Sequence, residues 1–325
     1  MRRSPAIAPL LAAGALAAVL AACQREQAEP VAGVTHTPEA AVQAMAESLR
    51  ANDLRQFSEL ALPPALRERV AMRWEQDRAA RAAPSAEDRA EFAQTMRDLT
   101  APDAEETLYA EVEPQLAQWE NEFATQGPLV MGMLSGLANV AINRSETLGP
   151  AQKEHAAGIV GALSAWATEA PLFDRERARQ AVAVTVDTAR ALDLETAEDV
   201  AALDFEQALG RGGTVAQGVR QTLAVYGLDL DATFASLETH VVDQTADTAT
   251  VHVDYELAGH PLGFDMAMVE QDGRWYSREI IASAEQRLAE PVDGAPPETA
   301  ADAEPDAAPA PATARAANAA GAGNG

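Results

Sequence analysis

The chain of 325 residues has one cysteine, 5% aromatic residues and half as many basic as acidic side chains. The cysteine is Cys23, so no disulfide and no thiolate metal site can form within one copy. The single lysine, Lys153, follows Ala151-Gln152, which leaves Walker A loops, Ser-x-x-Lys sites and most Schiff-base schemes nowhere to sit. With 24 Lys+Arg against 50 Asp+Glu, the net charge of −26 excludes nucleic-acid binding and a basic peripheral membrane protein, both of which need a cationic surface. No serine sits in Gly-x-Ser-x-Gly; neither Ser135 nor Ser164 has the flanking glycines. The histidines, His36, His155, His240, His252 and His260, include no His-Glu-x-x-His pair for zinc. Asp229-Leu230-Asp231 opens like a calcium loop, but Phe234 stands where the turn needs glycine and His240 where it needs glutamate. Gly210-Arg211-Gly212-Gly213 reads as a helix-ending turn rather than a phosphate loop. These exclusions lead us to expect no cofactor, no metal site and no enzymatic activity.

What is present begins with an address. Arg2 and Arg3 precede an apolar stretch, 6–19, that is too short for a transmembrane helix and is laid out as a signal peptide. It ends in Leu20-Ala21-Ala22-Cys23, which resembles the bacterial lipobox, whose cysteine is acylated after cleavage. The resemblance implies a signal peptide at 1–22 and lipidation at Cys23. Gln24 in place of aspartate resembles the signal for export to the outer membrane, with the chain on its periplasmic face. In the tether, 23–36, the polar stretch Gln24 to Thr35 reaches up to about 40 Å at about 3.3 Å per residue.

Helical periodicity runs through a helical domain, 37–226. Thr37-Pro38-Glu39 reads as an N-cap with proline in the first turn, followed by the apolar face of Val42, Met45 and Leu49. Ser85 and Asp88 form a capping box. Leu108, Val112, Leu116, Trp119 and Phe123 make the cleanest amphipathic stripe, in a helix that Pro114 is expected to kink or divide. The segment 128–142 has almost no polar face and is expected to be buried, with Gly132 and Gly136 spaced for close approach of a neighbouring helix at 155–166. We expect an intramolecular core hairpin here in preference to a dimerising or lipid-contacting one. Further helices are expected at 174–192, 195–209 and 214–226. Trp74, Trp119, Trp166 and Trp275 read as packing residues.

After Gly227 the period changes to two. Strands are expected at 234–242, 248–257, 262–270 and 274–280, with turns at Thr245-Ala246-Asp247, Gly259-His260-Pro261 and Asp272-Gly273. Ala249, Val251, Val253, Tyr255 and Leu257 should face a core while Thr250, His252, Asp254 and Glu256 face water. The fold class is therefore α+β: a large all-helical region followed by a four-stranded antiparallel meander packed on helices (227–288), with a disordered acidic Ala/Pro tail (289–325).

Thr37-Pro38-Glu39-Ala40-Ala41-Val42, then Ala51-Asn52-Asp53-Leu54, and at the other end Val269-Glu270-Gln271-Asp272-Gly273-Arg274-Trp275-Tyr276, resemble the nuclear-transport-factor-like α+β cone superfamily. The long helical stretch between them departs from it. That superfamily contains enzymes, binding modules and structural units, so the resemblance implies shape and no activity.

The one polar constellation on the strands is His240, His252 and Asp254, with Asp265 nearby, where cross-strand pairing could bring imidazole and carboxylate together on the wet face. The expected function is a non-enzymatic interaction or assembly module, anchored by lipid to the outer membrane, with an envelope protein as possible partner. The alternatives are an immunity or inhibitor lipoprotein whose acidic surface masks a basic toxin or cell-wall hydrolase, and a small-molecule-binding cone.

Overall fold

The computed structural model describes residues 36–292. The expectations for Leu20, Ala21, Ala22, Cys23 and the tail from 293 onward lie outside the described residues. The chain runs α1 (Pro38–Arg50), α2 (Leu54–Ala61), α3 (Pro64–Ala80), α4 (Ala86–Thr100), α5 (Ala104–Arg144), α6 (Pro150–Glu169), α7 (Arg175–Leu192), α8 (Ala197–Ala202), α9 (Phe205–Val225) and α10 (Leu230–Ala235). It continues as β1 (Glu238–Gln244), β2 (Thr248–Leu257), β3 (His260–Gln271), β4 (Arg274–Ser277) and α11 (Arg278–Ala289). The α+β class is as expected, with the four strands in sequential antiparallel order. Among the described residues no helix is long and apolar enough to cross a membrane.

Local chemistry sets most boundaries. Thr37 accepts from the Ala40 N–H ahead of Pro38, and Ser85 and Asp88 form the reciprocal capping box. Asp272-Gly273, at φ of 52° and 80°, supplies the left-handed pair that a two-residue hairpin turn needs. The β2–β3 turn differs from expectation. Ala258 and Gly259 occupy it at φ of 50° and 76°, and His260 and Pro261 already belong to β3.

Two further strand limits also move. Phe234 is in α10, because the Asp229 carboxylate accepts from Ala232 N–H and starts a helical turn. β4 stops at Ser277, whose hydroxyl caps α11, so residues 278–280 are helical and not strand. α11 itself closes on α3: the Arg73 guanidinium donates to the carbonyls of Leu288 (3.4 Å) and Glu290 (2.8 Å) at its C-terminus.

The sheet packs its inner face on α1 and α2. Val42 and Met45 meet Leu60, Ala61, Ala249, Val251, Val253, Met268 and Trp275 in the main core. A second cluster joins Tyr109 and Leu116 of α5 to Ala178 of α7, and a third joins Ala162 of α6 to Leu228 and Leu257.

α9 is continuous through Gly210-Arg211-Gly212-Gly213, where a turn was expected. The glycines are there for contact. A Cβ on Gly213 would strike the Asn52 carbonyl oxygen, and one on Gly218 would lie 2.7 Å from Thr188 Cγ2 on α7. Close packing overrides poor helix propensity at these positions.

α5 brings the largest departure. It is unbroken across Pro114. Its second half does pack on α6, where Ser135 and Ser164 share a 2.6 Å hydrogen bond, but through one narrow stripe. Among the described residues nothing lies within 4 Å of a Cβ on Gly132 or Gly136, so these glycines do not mediate the contact. Leu129 (75% exposed), Met133 (62%), Leu134, Leu137 and Val140 face outward, and the expected burial of this segment does not occur. Trp119 is likewise 44% exposed, whereas Trp275 is buried. Trp74 and Trp166 are half-buried and donate to the carbonyls of Leu203 (3.0 Å) and Tyr226 (3.1 Å).

Candidate functional site

The register of the meander decides which polar side chains meet. His252 stands opposite His240 on β1 and opposite Asp265 on β3, while Asp254 stands opposite Gly263. His252 Nδ1 lies 2.6 Å from Asp265 Oδ1, and its Nε2 lies 3.3 Å from Asp254 Oδ1. The His240 ring is 5.0 Å from that of His252, with Nδ1 3.8 Å from Asp254 Oδ2. All three residues of the expected cluster therefore come together, and Asp265 is the closest partner.

Gly263 makes room for this arrangement. A Cβ there would come within 3.0 Å of His252 Nε2 and 3.1 Å of Asp254 Oδ1.

The hydrogen bond to Asp265 raises the His252 pKa above its ordinary 6.5, desolvation opposes the shift, and the charges of Asp254 and Asp265 reinforce it. A raised imidazole pKa stabilises the fold below its unfolded value, and that contribution fades as pH rises through the folded one. Asp265→Asn should therefore move the His252 titration midpoint downward in proton NMR, and a midpoint left in place would contradict the pairing.

The opposite face of β3 holds a second histidine that sequence reasoning did not select. His155 of α6 sits with its Nε2 2.8 Å from the Tyr255 hydroxyl and its ring 4.8 Å from that of Phe264. Burial lowers the His155 pKa and raises that of Tyr255. For His155 the sign is reversed: stability is full above its ordinary value and is lost as pH falls. No sequence signal marked this residue, because its partners lie 100 or more positions away.

Between α6, β3 and the start of α11 lies a groove of about 850 Å³. Pro261, Leu262, Gly263, Phe264, Asp265 and Met266 line it consecutively. Glu154, His155 and Ile159 form one wall and Ser277, Glu279 and Ile280 the other, with His252 behind Asp265.

As chemistry, the arrangement sets imidazoles and carboxylates beside an apolar strip along one groove. Among the described residues no serine or threonine hydroxyl is hydrogen-bonded to His155, His240 or His252; the one hydroxyl that meets these imidazoles is that of Tyr255. Nor are three His, Cys, Asp or Glu side chains of the described residues placed to hold a metal ion. Ser277 is occupied in capping α11 and bonding Glu279 at 3.2 Å.

No family model, no curated protein and no solved structure matches the chain.

Proposed function

We propose that this chain is a lipoprotein anchored through Cys23 to the periplasmic face of the outer membrane, and that it acts there as a non-enzymatic interaction module. The observation that carries the reading is the uncovered face of α5. Leu129, Val130, Met133, Leu134, Leu137 and Val140 are all exposed, and together present roughly 600 Å² of apolar surface, at the upper limit for the largest patch on a monomer.

From Phe123 to Asn143 no side chain is ionisable, in a chain of net charge −26. The occupant is a protein surface and not lipid, because helices that lie in a membrane interface carry several Lys or Arg along their polar flank, and α5 carries Glu111, Glu113, Glu120 and Glu122 with a single arginine, Arg144, in its last turn. An apolar partner face with a basic rim complements it.

The test is in-cell photocrosslinking from position 137 in the lipidated protein. We expect one discrete envelope-protein adduct, lost when Met133→Glu is added, while that substitution shifts the melting temperature by no more than about 2 °C. An adduct that survives Met133→Glu, or the absence of any adduct, would overturn the reading. Cys23→Ala should release the chain from the membrane fraction, and retention there would remove the anchor from the proposal.

A further inference from the structure

β3 is twelve residues long and β4 is four. β4 pairs with β3 only from Met268 to Gln271, because the chain turns into α11 immediately after Ser277. Among the described residues no strand lies along the rest of that edge. The β2–β3 turn fixes the phase of the edge. Leu257 and His260 close a two-residue turn, so His260, Leu262, Phe264 and Met266 exchange hydrogen bonds with β2, while Pro261, Gly263 and Asp265 direct their backbone groups away from it.

Proline stands at the one outward position where its missing N–H marks an edge strand. Gly263 and Asp265 offer both N–H and C=O to the groove, which runs along the same six residues, about 20 Å of strand. The groove occupies the place that a longer β4 would fill.

Its two sides differ in chemistry. Asp265 shares a sheet face with Asp254, whereas Leu262 and Phe264 share the other with Ile159 and His155 of α6. Among the described residues the lining includes Glu154, Asp265 and Glu279 and no Lys or Arg.

We propose that this groove binds an extended peptide, added to β3 as a further strand, in which cationic side chains alternate with apolar ones. Backbone hydrogen bonds to Gly263 and Asp265 hold the strand. Its cationic residues meet Asp265 on one face, with Glu154 and Glu279 on the two walls, and its apolar residues enter the space beside Phe264 and Ile159. The chain's own segment 293–325 does not fit this description, being acidic and repeatedly interrupted by proline. The site is separate from the α5 face and stands whether or not that face binds a protein.

The experiment is fluorescence anisotropy with the intact mature chain and synthetic peptides. A peptide of alternating valine and arginine is the probe. Its controls are an isomer with the arginines contiguous, an alternating valine–glutamate peptide, and forms of the probe N-methylated at alternate residues in either phase. We expect saturable binding of the probe alone, lost on N-methylation in one phase and retained in the other. Asp265→Lys and, separately, Glu279→Lys should each weaken it about tenfold with circular dichroism unchanged, and Met133→Glu on α5 should leave it as it was. The absence of saturable binding, equal binding of the contiguous isomer, or indifference to N-methylation in both phases would overturn the proposal.

Discussion

Val251→Asp should unfold the protein at ambient temperature. Val251 is 0% exposed and packs among Val42, Met45 and Met268, where neither water nor a cation can reach a carboxylate. The substituted group must either ionise without a partner or remain protonated with its hydroxyl unbonded, and both options are costly in an apolar core. A loss of about 4 kcal/mol or more is expected, a large part of the whole stability of an ordinary domain. Val251→Ala provides the scale. It removes two methyl groups from the same site and should cost about 2 kcal/mol, read as a lower urea midpoint with an unchanged slope. If Val251→Asp retains a cooperative transition close to that of Val251→Ala, the sheet and α1 do not form the central core.

Gly213→Ala and Gly132→Ala should act in opposite directions. Both glycines lie inside helices, where alanine is intrinsically preferred by up to about 1 kcal/mol. At Gly213 the added methyl meets the Asn52 carbonyl oxygen, part of a backbone turn held in the left-handed region at φ of 56°. Backbone cannot rotate away as a side chain can, so α9 must shift, and a net loss of about 1–3 kcal/mol is expected. At Gly132 the methyl meets nothing within 4 Å, and the variant should melt slightly higher than the parent. Thermal denaturation of the two variants decides the matter, since equal shifts of one sign would mean that α9 does not approach the α1–α2 turn as closely as described.

These two glycine pairs show what was legible in the sequence and what was not. A small residue at helical spacing signals that a backbone could come close, and it carries no information on which one does. Gly132 and Gly136 have the spacing of a packing pair, yet Gly213 and Gly218 fill that role, the first in a run that resembles a helix-ending turn because glycine propensity is poor and the second inside an expected helix. The strands were legible because burial on one face imposes a period of two. Ala249, Val251, Val253 and Leu257 are all buried, as their alternation required.

Register was only partly legible. Asp272-Gly273 announces its turn, whereas Ala258-Gly259 does not, since alanine seldom adopts a positive φ. Without that turn the facing of His252 and Asp265 could not be derived. α11 was missed because Ile280 and Ile281 favour a strand locally, and the Ser277 cap that overrules them is a single side chain. The apolar run on α5 was read correctly as lacking a polar face, but composition records only that a surface needs a neighbour, and the neighbour need not belong to the same chain.

The N-terminal contact of the described chain gives the molecule a direction. His36 Nδ1 lies 3.4 Å from the Gly273 carbonyl oxygen, so the chain enters the fold beside the β3–β4 turn. The β2–β3 turn and the Pro261 end of the groove lie at the far end of β3, about 35 Å away along the strand. With lipid on Cys23, as proposed, the tether would join the fold beside the β3–β4 turn, while the strand-binding edge lies along the half of β3 remote from it. The length of β3 would then act as a spacer between the point of anchorage and the point of capture.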